Sequence, residues 1–226
     1  MTPQTNIIPT PGAPPNVQAD ALKTIVPAEV GYGIIASSSD AVTRAFEAKK
    51  RRPGHTQGII GNYDLHKALH DLPEDRFNMT KALVHDLDMS LGIIAPYKPD
   101  HPLLQRLSPE TLSKTTKDGK MAIYVGGGSL LLEIVRLHYE VGKVVVGSSA
   151  NVTGAGQKFR VEDIEGELLE AVNVVIDYGL QRYHVYGRAN TMFDFGEMRV
   201  VRKGGCYELF RERMGKFWGV ELGEEE

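Results

Sequence analysis

The sequence predicts a single α/β domain, a mixed sheet flanked by helices, and three observations lead there. Apolar runs of strand length alternate with stretches of helical periodicity through most of the 226 residues. Apolar residues make up 42% and charged residues 24%, which supplies a sizeable core for one large domain. The late apolar runs come close together, which suggests antiparallel pairing at that end of the chain.

Residues 1–20 carry five prolines and few large apolar side chains, so they read as an extended or disordered arm that can dock on a neighbour. Such an arm would allow exchange with a second copy in a homodimer. The domain proper is expected over residues 21–216. Leu22–Val26 and Tyr32–Ala36 read as strands. A helix follows from about Asp40 to Arg51, capped by Ser38 or Ser39 and stopped by Pro53. Gly58–Gly61 is a short buried strand. Tyr63–His70 and Asn78–Asp86 read as helices separated by Pro73, and Leu91–Ala95 as a strand. Residues 96–118, rich in Pro, Lys, Ser and Thr, are expected as irregular structure or short helical turns. Lys120–Val125 is a strand, and Ser129–Tyr139 a helix with Leu130, Ile134 and Leu137 on one face. Lys143–Val146, Val172–Ile176, Thr191–Phe195 and Arg199–Arg202 are further strands. Cys206–Lys216 is a closing helix, and residues 217–226 form an acidic tail.

Net charge is −3 and the pI about 6.2, so bulk electrostatics does not argue for a polyanion partner, although a local basic patch would still bind RNA. The single cysteine, Cys206, excludes an internal disulfide and favours a reducing compartment. No apolar run is long enough to span a membrane, and the N-terminus lacks the basic start and apolar centre of a secretion signal. These readings together predict a cytoplasmic protein.

Two stretches carry most of the functional signal, and the fold is expected to bring them together at one sheet edge. Lys49-Lys50-Arg51-Arg52 ends the first helix. It reads either as a basic last turn complementing the helix dipole or as a phosphate or carboxylate clamp. Ser148–Gly154 follows a strand. It reads either as a polar turn or as an anion cradle of hydroxyls, an amide and backbone N–H groups. Gly126-Gly127-Gly128-Ser129 lies between strand and helix. It matches neither dinucleotide nor P-loop spacing, so a tight turn with a Ser cap is favoured over a phosphate site. His66 and His70 stand one helical turn apart, but Lys67 follows His66 where a zinc protease has Glu, which favours a solvated or partly buried face over a metal site. No metal-ligating set is assigned.

The order of five pieces resembles the YrdC-like threonylcarbamoyl-adenylate synthases. Pro27-Ala28-Glu29-Val30-Gly31-Tyr32-Gly33 stands where that family has Pro-Thr-Glu-Thr-x-Tyr-Gly. Lys50-Arg51-Arg52-Pro53 matches its Lys-x-Arg-Pro, and Ser149-Ala150-Asn151-Val152-Thr153-Gly154 its Ser-x-Asn loop. Asn190-Thr191 matches its Ser-Thr, and Arg202-Lys203-Gly204 its Arg-x-Gly close. The likeness spans roughly residues 22–206, and the Ser-x-Asn loop is its most specific part. It implies a YrdC-like twisted sheet with a concave, basic face, linked in the family to double-stranded RNA binding. It implies a transferase joining threonine, bicarbonate and ATP into threonylcarbamoyl-adenylate and pyrophosphate, with Mg²⁺ accompanying the triphosphate. Carried over by position, Lys50 and Arg52 hold the triphosphate and the carboxylated intermediate. Ser149 and Asn151 bind the nucleotide, Arg202 meets the phosphate side, and Tyr32 walls the pocket.

The departures concentrate on the amino-acid side. Ala28 and Val30 replace the two threonines, Asn190 replaces serine, and Tyr124-Val125-Gly126 stands in place of an Arg-x-Pro. The family's Pro-Gly-Pro-x-Thr loop has no counterpart near Ala95–Pro99, and Gln57-Gly58 stands where the family has Pro-Leu. Ala28, Val30, Tyr32, Tyr124, Asn190 and Thr191 are expected to line an altered substrate pocket. Losing two hydroxyls removes hydrogen bonds that a polar acceptor needs. The reading favoured is a divergent YrdC-like enzyme that binds ATP or a related anionic substrate and takes a different acceptor, in a specialised biosynthetic role. The alternatives are the ordinary tRNA-modification enzyme, a small-metabolite enzyme that uses no ATP, and a non-catalytic RNA-binding module.

Overall fold

The structure, a computed structural model, describes residues 6–9, 24–51 and 54–223. The chain begins with strands β1 (Asn6–Pro9), β2 (Thr24–Pro27) and β3 (Tyr32–Ala36), followed by helix α1 (Ser39–Ala48). Next come β4 (Gly58–Gly61), α2 (Tyr63–Leu69), α3 (Glu74–Lys81) with a wider turn over Ala82–Asp86, and β5 (Leu91–Pro96). The middle holds α4 (Pro102–Gln105), α5 (Pro109–Thr115), β6 (Thr116–Lys117), β7 (Lys120–Val125), α6 (Ser129–Glu140) and β8 (Val145–Ser149). The last part is α7 (Gly166–Glu170), β9 (Val174–Asp177), β10 (Thr191–Asp194), β11 (Arg199–Arg202) and α8 (Tyr207–Trp218).

The strands form one twisted mixed sheet in the order β1-β9-β2-β3-β8-β4-β7-β5-β10-β11, with β6 added on β7. The expected antiparallel pairing of the late strands holds for β10 and β11, whereas β10 meets β5 in parallel. Part of the proline-rich arm, Asn6–Pro9, adds to this chain's own sheet beside β9 in parallel register. The rest of residues 1–20 lies outside the described residues, as do Glu224, Glu225 and Glu226.

Local chemistry explains where the helices begin. The Ser38 hydroxyl accepts from the Ala41 amide and caps α1, the Asn62 side chain accepts from Leu65 and caps α2, and Ser108 does the same for α5 ahead of Pro109. Helix α1 ends at Ala48 rather than at Arg51, because Lys50 adopts a left-handed conformation, φ +51°, which no helix continues. Helix α6 starts from Gly128 at φ +86° with no side-chain cap, so the Ser129 cap expected from sequence is not made. The segment 96–118 takes the helical of its two expected forms, as two short helices both opened by proline. Phe217 and Trp218, placed in the tail by sequence, complete α8.

One large apolar cluster joins α2, α3, α6 and α8 to the sheet, with Phe193 in ring contact with both Phe195 and Phe210. A smaller cluster packs Ile25, Tyr32 and Ile34 against Leu168 and Val172. The His66–His70 face, expected to be solvated or partly buried, lies at the centre of the larger side, with both rings fully buried.

Candidate active site

The pieces of chain singled out by sequence converge on one face of the sheet, around a cavity of about 200 Å³. Its floor is short of side chains, since Gly33, Gly58, Gly92 and Gly147 line it from four different strands. A methyl on Gly92 would stand 2.7 Å from Met192 and 2.8 Å from the Asn190 amide nitrogen, so a side chain there would crowd the space. Ala28, Val30, Tyr32, Tyr124, Asn190, Ser149 and Arg202, all expected at the site, line it. Arg51, Gln57, Ser148 and Gln157 line it too.

The two opening stretches are joined through Lys49, a residue the sequence reading left in the helix end. Lys49 is 1% exposed, and its ammonium donates to the carbonyls of Ser149 and Asn151. Burial, reinforced by the nearby Arg51 charge, pushes its pKa down to about 7. In return, the Thr153 amide and hydroxyl both donate to the Lys49 carbonyl, at 3.0 and 2.8 Å. This lysine is therefore a strut between the end of α1 and the loop after β8. Strand β8 is flanked by β3 and β4, so the two stretches meet in the middle of the sheet and not at its edge.

Lys50 points elsewhere. Its side chain is 62% exposed, pairs with Glu167 at 2.7 Å, and is not among the cavity-lining residues. The basic group at the cavity is Arg51, whose guanidinium donates to the Thr56 carbonyl and to the Ser148 hydroxyl. The reason is the reversal at Lys50: a left-handed residue turns the following one back over the sheet. Arg52 lies outside the described residues. Because φ is positive at Lys50, a Lys50→Gly variant is expected to be more stable than Lys50→Ala by about 1 kcal/mol. Both lose the exposed Glu167 pair equally, so chemical denaturation of the two variants isolates the backbone effect.

At the other end, Arg202 is exposed as a residue but turns its guanidinium onto Asn190, donating to the Asn190 carbonyl at 2.9 and 3.1 Å and to its Oδ1 at 2.8 Å. Burial pushes the guanidinium pKa of both Arg51 and Arg202 down. Among the described residues no carboxylate pairs with either, so both arginines bring net positive charge to the cavity.

Several expected site residues have structural duties. The Tyr32 hydroxyl faces away from the cavity, bonded to Asp177 Oδ1 and the Gly179 carbonyl, and accepts from the Tyr178 amide, each at 2.9 Å. Thr191 is fully buried outside the cavity lining. Its hydroxyl donates to the Gly205 carbonyl and accepts from the Gly204 amide, fixing the turn after β11 against β10. Asn151 is also outside the lining. Its Nδ2 donates to the Val152 carbonyl at 2.7 Å, while its Oδ1 is buried with no partner. Tyr124, at the position that lacks the family's Arg-x-Pro, donates to the Ala28 carbonyl at 2.9 Å and accepts from Ser90 at 2.6 Å. Gln157 closes over Gly31: its Nε2 bonds the Tyr32 carbonyl at 3.1 Å, and a methyl on Gly31, φ +119°, would stand 2.0 Å from it. No motif in the sequence marks Gln157, which reaches the cavity only through the return of the loop after β8.

The Gly126–Gly128 turn borders a separate cavity of about 240 Å³, with Glu29, Gln181 and Arg182 on its walls. Among the described residues no group of three metal-ligating side chains occurs, and no helix is long and apolar enough to cross a membrane.

Comparisons with known proteins accord with this geometry. A comparison with curated proteins finds no match. The fold is similar to that of a hypothetical protein, smu.1377c, from Streptococcus mutans UA159, with TM-score 0.81, 20% identity, and 98% of this chain covering 100% of the other. It is similar to P. abyssi Sua5 complexed with L-threonine, with TM-score 0.72, 19% identity, and 96% of this chain covering 62% of that one. It is also similar to E. coli YciO, with TM-score 0.64, 16% identity, and 89% of this chain covering 95% of the other. This chain thus spans less than two thirds of the Sua5 protein's length. The Sua5/YciO/YrdC family model, described as "Telomere recombination", matches residues 23–204, and the chain belongs to that family.

Proposed function

We propose that this protein is an enzyme that binds ATP, or a closely related phosphate ester, and activates a small carboxylated acceptor other than threonine. The observation that carries the reading is the pair of guanidiniums, Arg51 and Arg202, brought to one cavity with no carboxylate among the described residues to neutralise them. Uncompensated arginines in a recess favour phosphate oxygens, which they bind in bidentate, charge-assisted fashion. Ser148 and Ser149 add hydroxyls at the Arg51 end. Mg²⁺ would enter with the phosphates. By resemblance Arg52 joins Arg51, and Lys50 contributes charge from outside the cavity.

These groups position and neutralise; none is a covalent nucleophile. ATP supplies the activated phosphorus, and the arginines stabilise negative charge as pyrophosphate leaves. The acceptor side has changed from the family pattern, since Ala28 and Val30 line the cavity without hydroxyls. The small volume and apolar walls favour, as the second reading, a metabolite enzyme that uses no ATP.

Isothermal titration calorimetry with ATP and Mg²⁺ tests the choice. Micromolar to submillimolar binding is the expected result. No heat and no rise in melting temperature at millimolar ATP would remove this reading in favour of the second.

A further inference from the structure

The polar groups of the cavity divide into engaged and unengaged ones, and the division says what the acceptor looks like. Ala28 and Val30, 7% and 5% exposed, bring no hydroxyl to the cavity wall, and the two tyrosine hydroxyls of that wall are engaged within the fold. Tyr124 gives its only proton to the Ala28 carbonyl, and Tyr32 gives its proton to Asp177 and Gly179. The Val30 amide is turned to the Ala28 carbonyl, and the Ala28 amide to Gly31. A substrate hydroxyl placed there would lose its water and meet hydrocarbon. Gln57 is the opposite case. It is 3% exposed, it lines the cavity, and its Nε2 is buried with no hydrogen-bond partner. An amide buried without a partner weakens the ligand-free fold, and the terminal torsion of glutamine is broad enough to turn toward an arriving oxygen.

We propose that the acceptor is an amino acid with a purely hydrocarbon side chain, and that Gln57 is a binding donor to one of its carboxylate oxygens. The inference rests on the ATP-dependent reading above. Under it, the acceptor's amine and bicarbonate give a carbamate and water, and the carbamate oxygen displaces pyrophosphate from ATP to leave a carbamoyl-adenylate. Selection between acceptors then comes from the hydroxyl that finds no partner in one ligand, while Gln57 answers the carboxylate common to both.

L-valine and L-threonine, nearly equal in shape and differing by a methyl for a hydroxyl, are the probes. They are titrated into the full chain with ATP, Mg²⁺ and bicarbonate, with bound fraction and released pyrophosphate as readouts. Valine is expected to bind about tenfold or more tightly than threonine. The Val30→Thr variant should shrink that ratio by restoring a hydroxyl. Gln57→Leu should weaken valine binding about tenfold, leave ATP binding unchanged, and raise the melting temperature of the ligand-free protein. Threonine binding as tightly as valine, or neither binding while ATP does, overturns the acceptor assignment. A lower melting temperature for Gln57→Leu, or unchanged valine affinity, overturns the role of Gln57. Failure of wild-type protein to bind ATP is a separate result that removes the nucleotide reading itself.

Discussion

An Arg51→Ala protein is expected to bind ATP about 10- to 100-fold more weakly than wild type, while Lys50→Ala changes the affinity less than about threefold. The difference follows from where the two side chains lie. Arg51 faces the cavity with its guanidinium bonded only to a carbonyl and a hydroxyl, so it carries a full positive charge in a recess. Charge-assisted hydrogen bonds of that kind contribute about 1.5–3 kcal/mol each, and 1.4 kcal/mol is a factor of ten. The Lys50 ammonium is half-solvated and engaged by Glu167, so its influence is a screened surface term. Arg202→Ala should match Arg51→Ala in size, because its guanidinium is likewise uncompensated. Calorimetry at fixed ionic strength measures all three, and circular dichroism separates a binding loss from unfolding. Equal losses for Lys50→Ala and Arg51→Ala would mean that the chain reversal at Lys50 does not persist in solution.

Acidification below about pH 6.5 is expected to destabilise the protein steeply, and the cause is a buried histidine pair far from the cavity. His66 Nδ1 and His70 Nδ1 are 2.7 Å apart, His70 Nε2 faces the Met121 carbonyl at 3.2 Å, and His66 Nε2 faces the Thr80 hydroxyl at 2.9 Å. In the neutral pair His70 donates through Nε2 to Met121 and His66 donates through Nδ1 to His70, while the single Thr80 proton lies between the Phe77 carbonyl and His66 Nε2. Adding a proton to His70 Nδ1 puts two donors face to face, and adding one to His66 places a charge where burial excludes water. Burial, with Lys98 nearby, lowers the His66 pKa to about 4, and burial with His66 and Lys98 pushes His70 well below its usual value. Above pH 6.5 both rings are neutral folded or unfolded. As pH falls below it, the unfolded chain takes up protons that the native state refuses, so stability drops by about 1.4 kcal/mol per pH unit for each ring. The loss continues until the folded pKa is reached, near 4 for His66. Urea titrations between pH 7.5 and 5 measure the slope, and His70→Gln should roughly halve it. An unchanged slope in that variant would assign the acid sensitivity to other groups.

The histidine pair also shows what pattern reading misses. One helical turn of spacing told only that both rings share a face of α2. Which way that face points depends on α3, β7 and the packing of Phe77, none of which is local to the motif. The basic run 49–52 shows a second gap. Composition located the charge, and the family resemblance assigned it to Lys50 and Arg52 without saying which way each side chain turns. A single positive φ shifted the register, so Lys49 turned inward as a strut, Lys50 outward, and Arg51 over the sheet.

Fold class, most strand and helix identities and the polar stretches that meet at the cavity were determined by the sequence alone, whereas β1, β6 and α7 were not. The elements rest on local periodicity, turn residues and caps, which act within a few residues of chain. The Ser148–Gly154 loop belonged to that legible part, and the family resemblance added Ala28, Val30 and Tyr124. The order of strands, with β8 in the middle of the sheet, the assignment of Arg51 rather than Lys50, and the arrival of Gln157 were decided only by the tertiary structure. So was the unanswered amide of Gln57. Each of these depends on which groups from distant segments find a partner once water is excluded, and no spacing along the chain encodes that balance.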